Sequence, residues 1–237
     1  MLLYVIRHGD PIYEPDSLTE KGKMQAEAVG RRLATRHFDR IYASGNIRAQ
    51  QTAEPLCRLT GLKMQIEDWT SESNAWRDLS CEDDNGHRTW AFTTKPNTFF
   101  RGNEEYHCAG DDWYNLPAFS KIDGKKAIER IISASDDFLE RQGYVREGRI
   151  YRCERPNDDR VAVFCHQGFG TTWMSHLLQI PPQIMWSCFD ISHSSVSIFE
   201  FRNGKDGYTA PKCLCLSDMS HIYAERLPMV YNNTLEI

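Results

Sequence analysis

Two histidines each close an apolar run and stand next to or near a glycine, in Ile6-Arg7-His8-Gly9 and in Phe164-Cys165-His166-Gln167-Gly168. A neutral imidazole is a nucleophile, and a protonated one is a cation that donates from both ring nitrogens. Arg7 precedes the first histidine, and Arg48 follows a third short apolar run at residues 38–43. Guanidinium forks grip tetrahedral oxyanions with paired hydrogen bonds, and helix N-termini add their dipole and free N–H groups. Taken singly, each histidine reads as a hydrogen-bonded residue at a strand end and each arginine as a surface or ion-paired one. Two histidines at equivalent strand ends, with two arginines beside them, make an anion pocket that pairs a nucleophile with a second cation.

Such a pocket needs a sheet to build it. In an open parallel sheet, ligands bind beyond the carboxyl ends of the strands, so the two histidines share a site only if their strands are neighbours. Residues 1–6 and 161–165 read as strands buried on both faces. Between them, Ser17 with Glu20 suggests a capping box for a helix carrying Gly22, Ala26, Val29 and Leu33 at helical spacing. A strand over 38–43, a helix begun near Ser44-Gly45-Asn46 and capped by Gly61, and a strand over 62–66 complete a β-α-β-α-β order. Residues 68–120 break the rhythm and hold Trp69, Trp76, Trp90 and Trp113, which reads as a lid or subdomain over the site. A helix over 127–141, a hairpin over 144–152 and a helix carrying Phe169, Trp173 and Leu177 and stopped by Pro181-Pro182 follow. Strands over 195–201 and 212–216 end the pattern. The expected fold is an α/β three-layer sandwich, a mostly parallel central sheet flanked by helices, with residues 68–160 as a large insertion.

Bulk properties narrow the class. At 237 residues, 41% hydrophobic and 26% charged, the chain is expected to form one globular domain. No run approaches the roughly 20 apolar residues that span a bilayer. The net charge of -5, without a basic block, disfavours nucleic acid as a partner. The opening apolar run is short for a signal segment, so a cytoplasmic location and reduced cysteines are expected. Cys213-x-Cys215 with His221 lacks the second half of a zinc site, and His107, Asp111 and Asp112 lack ordered spacing, so no metal or cofactor is expected.

Four segments in order carry a resemblance: Arg7-His8-Gly9, Leu18-Thr19-Glu20-Lys21-Gly22, the stretch from Ser44-Gly45-Asn46-Ile47-Arg48 to Thr52-Ala53, and Cys165-His166-Gln167-Gly168. Together they resemble the signatures of the histidine phosphatase superfamily, the phosphoglycerate-mutase-like family, over residues 1–66 and 160–201. The resemblance implies that His8 is the nucleophile of a phosphohistidine intermediate and that Arg7, Arg48 and His166 hold the phosphoryl oxygens. It also implies a carboxylate that serves as acid and then base. Glu72, in Trp69-Thr-Ser-Glu72, is the choice, with Glu67, Asp68, Glu82, Glu104 and Glu105 as alternatives. Gly9 and the Gln167 backbone are expected at the substrate. His8 should donate from its other ring nitrogen to a carbonyl near Gly9, and His166 should act as the cation. The implied activity is metal-independent hydrolysis of a small phosphomonoester. The alternatives are mutase-type transfer, for which Arg77 is the lone arginine in residues 73–83, and a non-catalytic phospho-ligand module.

Overall fold

The computed structural model describes residues 1–231. Its first half runs β1 (Leu2–Arg7), β2 (Pro11–Tyr13), β3 (Asp16–Leu18), α1 (Glu20–Ala34), β4 (Arg40–Ala43), α2 (Ile47–Thr60) and β5 (Met64–Ile66). Next come α3 (Glu72–Leu79), the hairpin of β6 (Ser80–Glu82) and β7 (Arg88–Trp90), α4 (Asn97–Gly102), α5 (Glu104–Cys108) and α6 (Gly124–Arg141). The hairpin of β8 (Tyr144–Glu147) and β9 (Ile150–Cys153) leads into β10 (Arg160–Cys165), α7 (Gln167–Leu178) and α8 (Pro182–Cys188). The chain closes with β11 (Val196–Glu200), β12 (Tyr208–Thr209), β13 (Lys212–Asp218) and α9 (Ser220–Ala224).

The central sheet has the order β13-β11-β1-β10-β4-β5. β1, β10, β4 and β5 pair in parallel, while β11 runs antiparallel to β1 and β13 antiparallel to β11, so the sheet is mixed at one side. Alternation along the buried strands sends Leu3, Val5, Val161 and Val163 into one apolar cluster with α6 and α7, through Ile131, Phe138, Phe169 and Trp173. Tyr4, Ile6, Ala162 and Phe164 face the other way, onto Val29 and Leu33 of α1 and Ala53 and Leu56 of α2. Helix, sheet and helix thus form three layers, as the strand and helix periods imply.

The stretch 68–160 divides between two cores. Leu79, Phe100, Tyr106, Trp113, Phe119 and Ala127 gather with Trp186 of α8 into a third apolar cluster. Ile131 and Phe138 of α6, with Tyr144 and Tyr151 of the β8–β9 hairpin, instead join the main core. Inside that core the Trp173 indole N–H donates to Ser135 Oγ at 2.8 Å, which satisfies a donor otherwise stranded in an apolar layer.

One cap differs from expectation. Ser17 pairs with Ile12 in the β2–β3 ladder, so it is not available to start α1. Thr19 caps the helix instead, its Oγ1 accepting from Gly22 N at 3.0 Å. No helix among the described residues is long and apolar enough to cross a membrane.

Candidate active site

β1 and β10 are adjacent, with Arg7 opposite Cys165 in register. The next residue of each strand is a histidine, so His8 and His166 leave the sheet side by side with ring centroids 5.1 Å apart. Both are buried. The His8 Nδ1–H donates to the Gly9 carbonyl at 2.7 Å, because a carbonyl can only accept. That bond fixes the tautomer and leaves Nε2 with a free lone pair. Burial, followed by the neighbouring His166 and Arg7, pushes the His8 imidazole well below its usual range, and it stays neutral.

His166 differs in its partner. Its Nε2 lies 2.8 Å from Ser44 Oγ, the first residue past β4, the strand on the far side of β10. Burial and then Arg48 and Arg7 hold this ring well below the usual histidine range too. Two guanidinium charges beside a desolvated ring thus oppose its protonation.

The two arginines supply the positive charge, and both are buried. Arg7 donates from Nη1 to the Ile191 carbonyl at 2.6 Å and from Nη2 to His193 Nε2 at 2.8 Å. Arginine cannot accept, so His193 carries its proton on Nδ1, which faces Asp10 at 3.5 Å. Burial and Arg7 push the His193 ring down to about 3, against the pull of Asp10. Arg48 donates to Asp16 Oδ1 at 2.7 Å and lies 5.4 Å from the Tyr13 ring centroid. The other oxygen of Asp16 accepts from Ile47 N at 2.8 Å, so one carboxylate joins the β2–β3 hairpin to Arg48 and the start of α2.

Glu72 opens α3 and seats its carboxylate on the first turn of α7, accepting from Gly168 N at 3.0 Å and Phe169 N at 2.8 Å. Burial raises this carboxyl above its ordinary range, while the two amides, Arg7 and Arg48 oppose the rise. The two α7 amides go to Glu72 and to none of the alternative carboxylates. Glu67 is taken by Trp69 Nε1 and Arg141, Glu82 sits in the β6–β7 hairpin, and Glu104 and Glu105 begin α5. Asp68 lies beside Gly45 at the loop before α2.

The expected Gly9 contact is otherwise engaged. The Gly9 N–H donates to Thr52 Oγ1 at 3.0 Å and its carbonyl serves His8, so both of its backbone groups orient the histidine rather than reach outward. A Cβ on Gly9 would stand 2.6 Å from the Gly22 carbonyl, which is why the loop after β1 can pass so close to α1. The Gln167 side chain donates to Asp190, and the next two amides of α7 serve Glu72.

Sequence reasoning missed His193, Asp16 and Thr52. His193 reaches the site because β11 runs antiparallel to β1 and begins where β1 ends, Val196 lying opposite Ile6. Among the tryptophans, Trp90 packs its ring edge onto Gly168, and Trp76 meets Trp90 edge to face at 4.8 Å. An aromatic pair thus stands beside the α7 start on which Glu72 sits.

A family model described as the histidine phosphatase superfamily, branch 1, matches residues 3–211. The chain belongs to the histidine phosphatase superfamily. Adenosylcobalamin/alpha-ribazole phosphatase of Escherichia coli (strain K12) is 26% identical over 204 residues, covering 78% of this chain and 83% of that protein. Mycobacterial glucosyl-3-phosphoglycerate phosphatase superposes with a TM-score of 0.61 at 16% identity, over 91% of this chain and 98% of the other. Phosphoserine phosphatase from Entamoeba histolytica, in complex with 3-phosphoglyceric acid, gives 0.58 at 20% identity, over 93% and 98%. These superpositions show the superfamily's α/β fold. The relatives and neighbours named here are phosphatases, and the described site residues all lie within the matched span.

Proposed function

We propose that this superfamily member is a metal-independent phosphomonoesterase that works through a phosphohistidine on His8. The observation that carries the reading is the His8 tautomer: Nδ1–H is held by Gly9, and Nε2 keeps its lone pair within a ring of Arg7, Arg48 and His166. In the first step Nε2 attacks phosphorus and the ester oxygen leaves with the bond's electron pair. Glu72, protonated, gives that oxygen a proton. In the second step Glu72, now ionised, takes a proton from water as the water oxygen attacks phosphorus, and His8 leaves as neutral imidazole. Arg7 and Arg48 stabilise charge on the equatorial oxygens, and an arriving dianion supplies the countercharge that lets His166 protonate and donate as well. The two arginines provide the fixed positive charge that other phosphatases draw from metal ions.

Hydrolysis is favoured over mutase-type transfer because Arg77 is exposed and committed to Asp78 at 2.8 Å, at the far end of α3 from Glu72. A binding module has no use for a free Nε2 or for a carboxyl held above its usual range. The test is leaving-group dependence. Glu72→Gln should slow an alkyl phosphate by about 10²–10⁴-fold and a nitrophenyl phosphate far less, since the latter leaves without a proton. Equal losses on both substrates would remove Glu72 from the acid role.

A further inference from the structure

Away from the histidine pair, the last turn of α3, the β6–β7 hairpin and the start of α6 enclose a cleft of about 780 Å³. Glu72, Arg7, Arg48 and His166 take no part in its lining. Asp78, which does, is six residues past Glu72 on the same helix, about 9 Å along its axis. Five basic side chains form the walls: Arg77, Arg88, Lys121, Lys126 and Arg130. The floor is apolar, built from Cys81, Ile122 and Ala127.

Three carboxylates, Asp78, Glu82 and Asp123, face these five cations and leave a formal surplus of two positive charges. Asp78 is shared between Arg77 at 2.8 Å and Arg130 at 2.9 Å. Asp123 caps α6, accepting from Lys126 N at 3.2 Å. Arg88 and Lys121 hydrogen-bond to neutral acceptors, Ser80 Oγ at 2.8 Å and the Glu82 carbonyl at 2.9 Å, with Glu82 opposite Arg88 in the hairpin and Asp84 within electrostatic reach of Lys121. Among the described residues no carboxylate forms an ion pair with Arg88, Lys121 or Lys126. In a chain of net charge -5, a formal surplus of two positive charges around one concavity runs against the overall balance. Concave walls of one sign focus the field and raise the local concentration of counter-ions.

We infer that this cleft is a second anion-binding site, separate from the phosphoryl pocket, that takes a small organic polyanion with at least two phosphate- or carboxylate-type groups. Its volume falls in the range of small-molecule sites. A surplus of two positive charges exceeds what one monoanion neutralises, and the apolar floor gives a carbon scaffold a surface to cover. The inference stands independently of the chemistry assigned to His8.

Calorimetric titration of the full chain with methylenediphosphonate tests it, because the P–C–P linkage resists hydrolysis. At an ionic strength of about 0.05 M the wild type should bind, and binding should weaken steeply as salt rises. In the Arg88→Gln/Lys126→Gln double variant the affinity of this site should fall by at least about tenfold, with the melting temperature unchanged. Lys121→Gln, an exposed single change, should shift affinity in the same direction. Arg48→Gln, which touches only the phosphoryl pocket, should leave this site intact. Absent binding in the wild type, unchanged affinity in the cleft variants, or complete loss in Arg48→Gln would each overturn the inference.

Discussion

His8 and His166 are one residue type at equivalent strand ends, and their hydrogen-bond partners differ. A carbonyl fixes the His8 proton on Nδ1, while the Ser44 hydroxyl, able to donate or accept, leaves His166 free to change protonation. The pH profile follows. His8 lies below 6.5 and Glu72 above 4.5, so kcat/KM on an alkyl phosphate should rise as His8 loses its proton and fall as Glu72 loses its own. The ascending limb therefore belongs below pH 6.5, and the descending limb should fade with a nitrophenyl leaving group. An ascending limb at or above 6.5 would contradict the burial argument. His193 makes a second residue-level case. Removing it in His193→Ala leaves a buried guanidinium nitrogen of Arg7 without its acceptor, a loss of about 1.5–3 kcal/mol for a charged hydrogen bond. KM for an aryl phosphate should rise by roughly tenfold with kcat less affected, and His193→Asn, which restores an acceptor, should recover part of it.

The elements explain why some of these residues were legible in the sequence and others were not. His8 and His166 announce themselves because each follows an unbroken apolar run, and β1 and β10 pair as parallel neighbours. Glu72 was reachable because α3 begins a short step after β5. His193 was hidden because its place depends on strand direction: β11 runs antiparallel to β1, which apolar alternation cannot reveal. Asp16 was hidden for a related reason, since only the β2–β3 pairing turns its carboxylate toward Arg48. The Ser17 cap failed because that same ladder claimed the residue. The contact between Trp90 and Gly168 belongs at this scale too. Gly168→Ala would drive a methyl into the indole edge, costing about 1–3 kcal/mol as overpacking. Denaturant unfolding should show that Trp90→Ala in the same chain relieves much of that cost. Additive losses would mean the ring yields without strain.

Across the whole molecule, the three layers were written in hydrophobic period, and the mixed edge of the sheet was not. The aromatic stretch lacked any period because its short helices, 3₁₀ turns and hairpin bury most of their rings in a cluster with Trp186 from α8, while Trp69 turns to Phe138, Phe169 and Trp173 of the main core. Long-range packing of that kind leaves no local signature. A net charge of -5 likewise concealed two concentrations of positive charge, one around His8 and one in the cleft beyond α3. The central claim is the covalent intermediate. Rapid quenching of the wild-type chain during turnover of an aryl phosphate, followed by peptide mass spectrometry, tests it directly. The expected result is an acid-labile, alkali-stable phosphoryl group on His8, absent along with turnover in His8→Ala. A phosphoryl group on another residue, or undiminished turnover by His8→Ala, would contradict it.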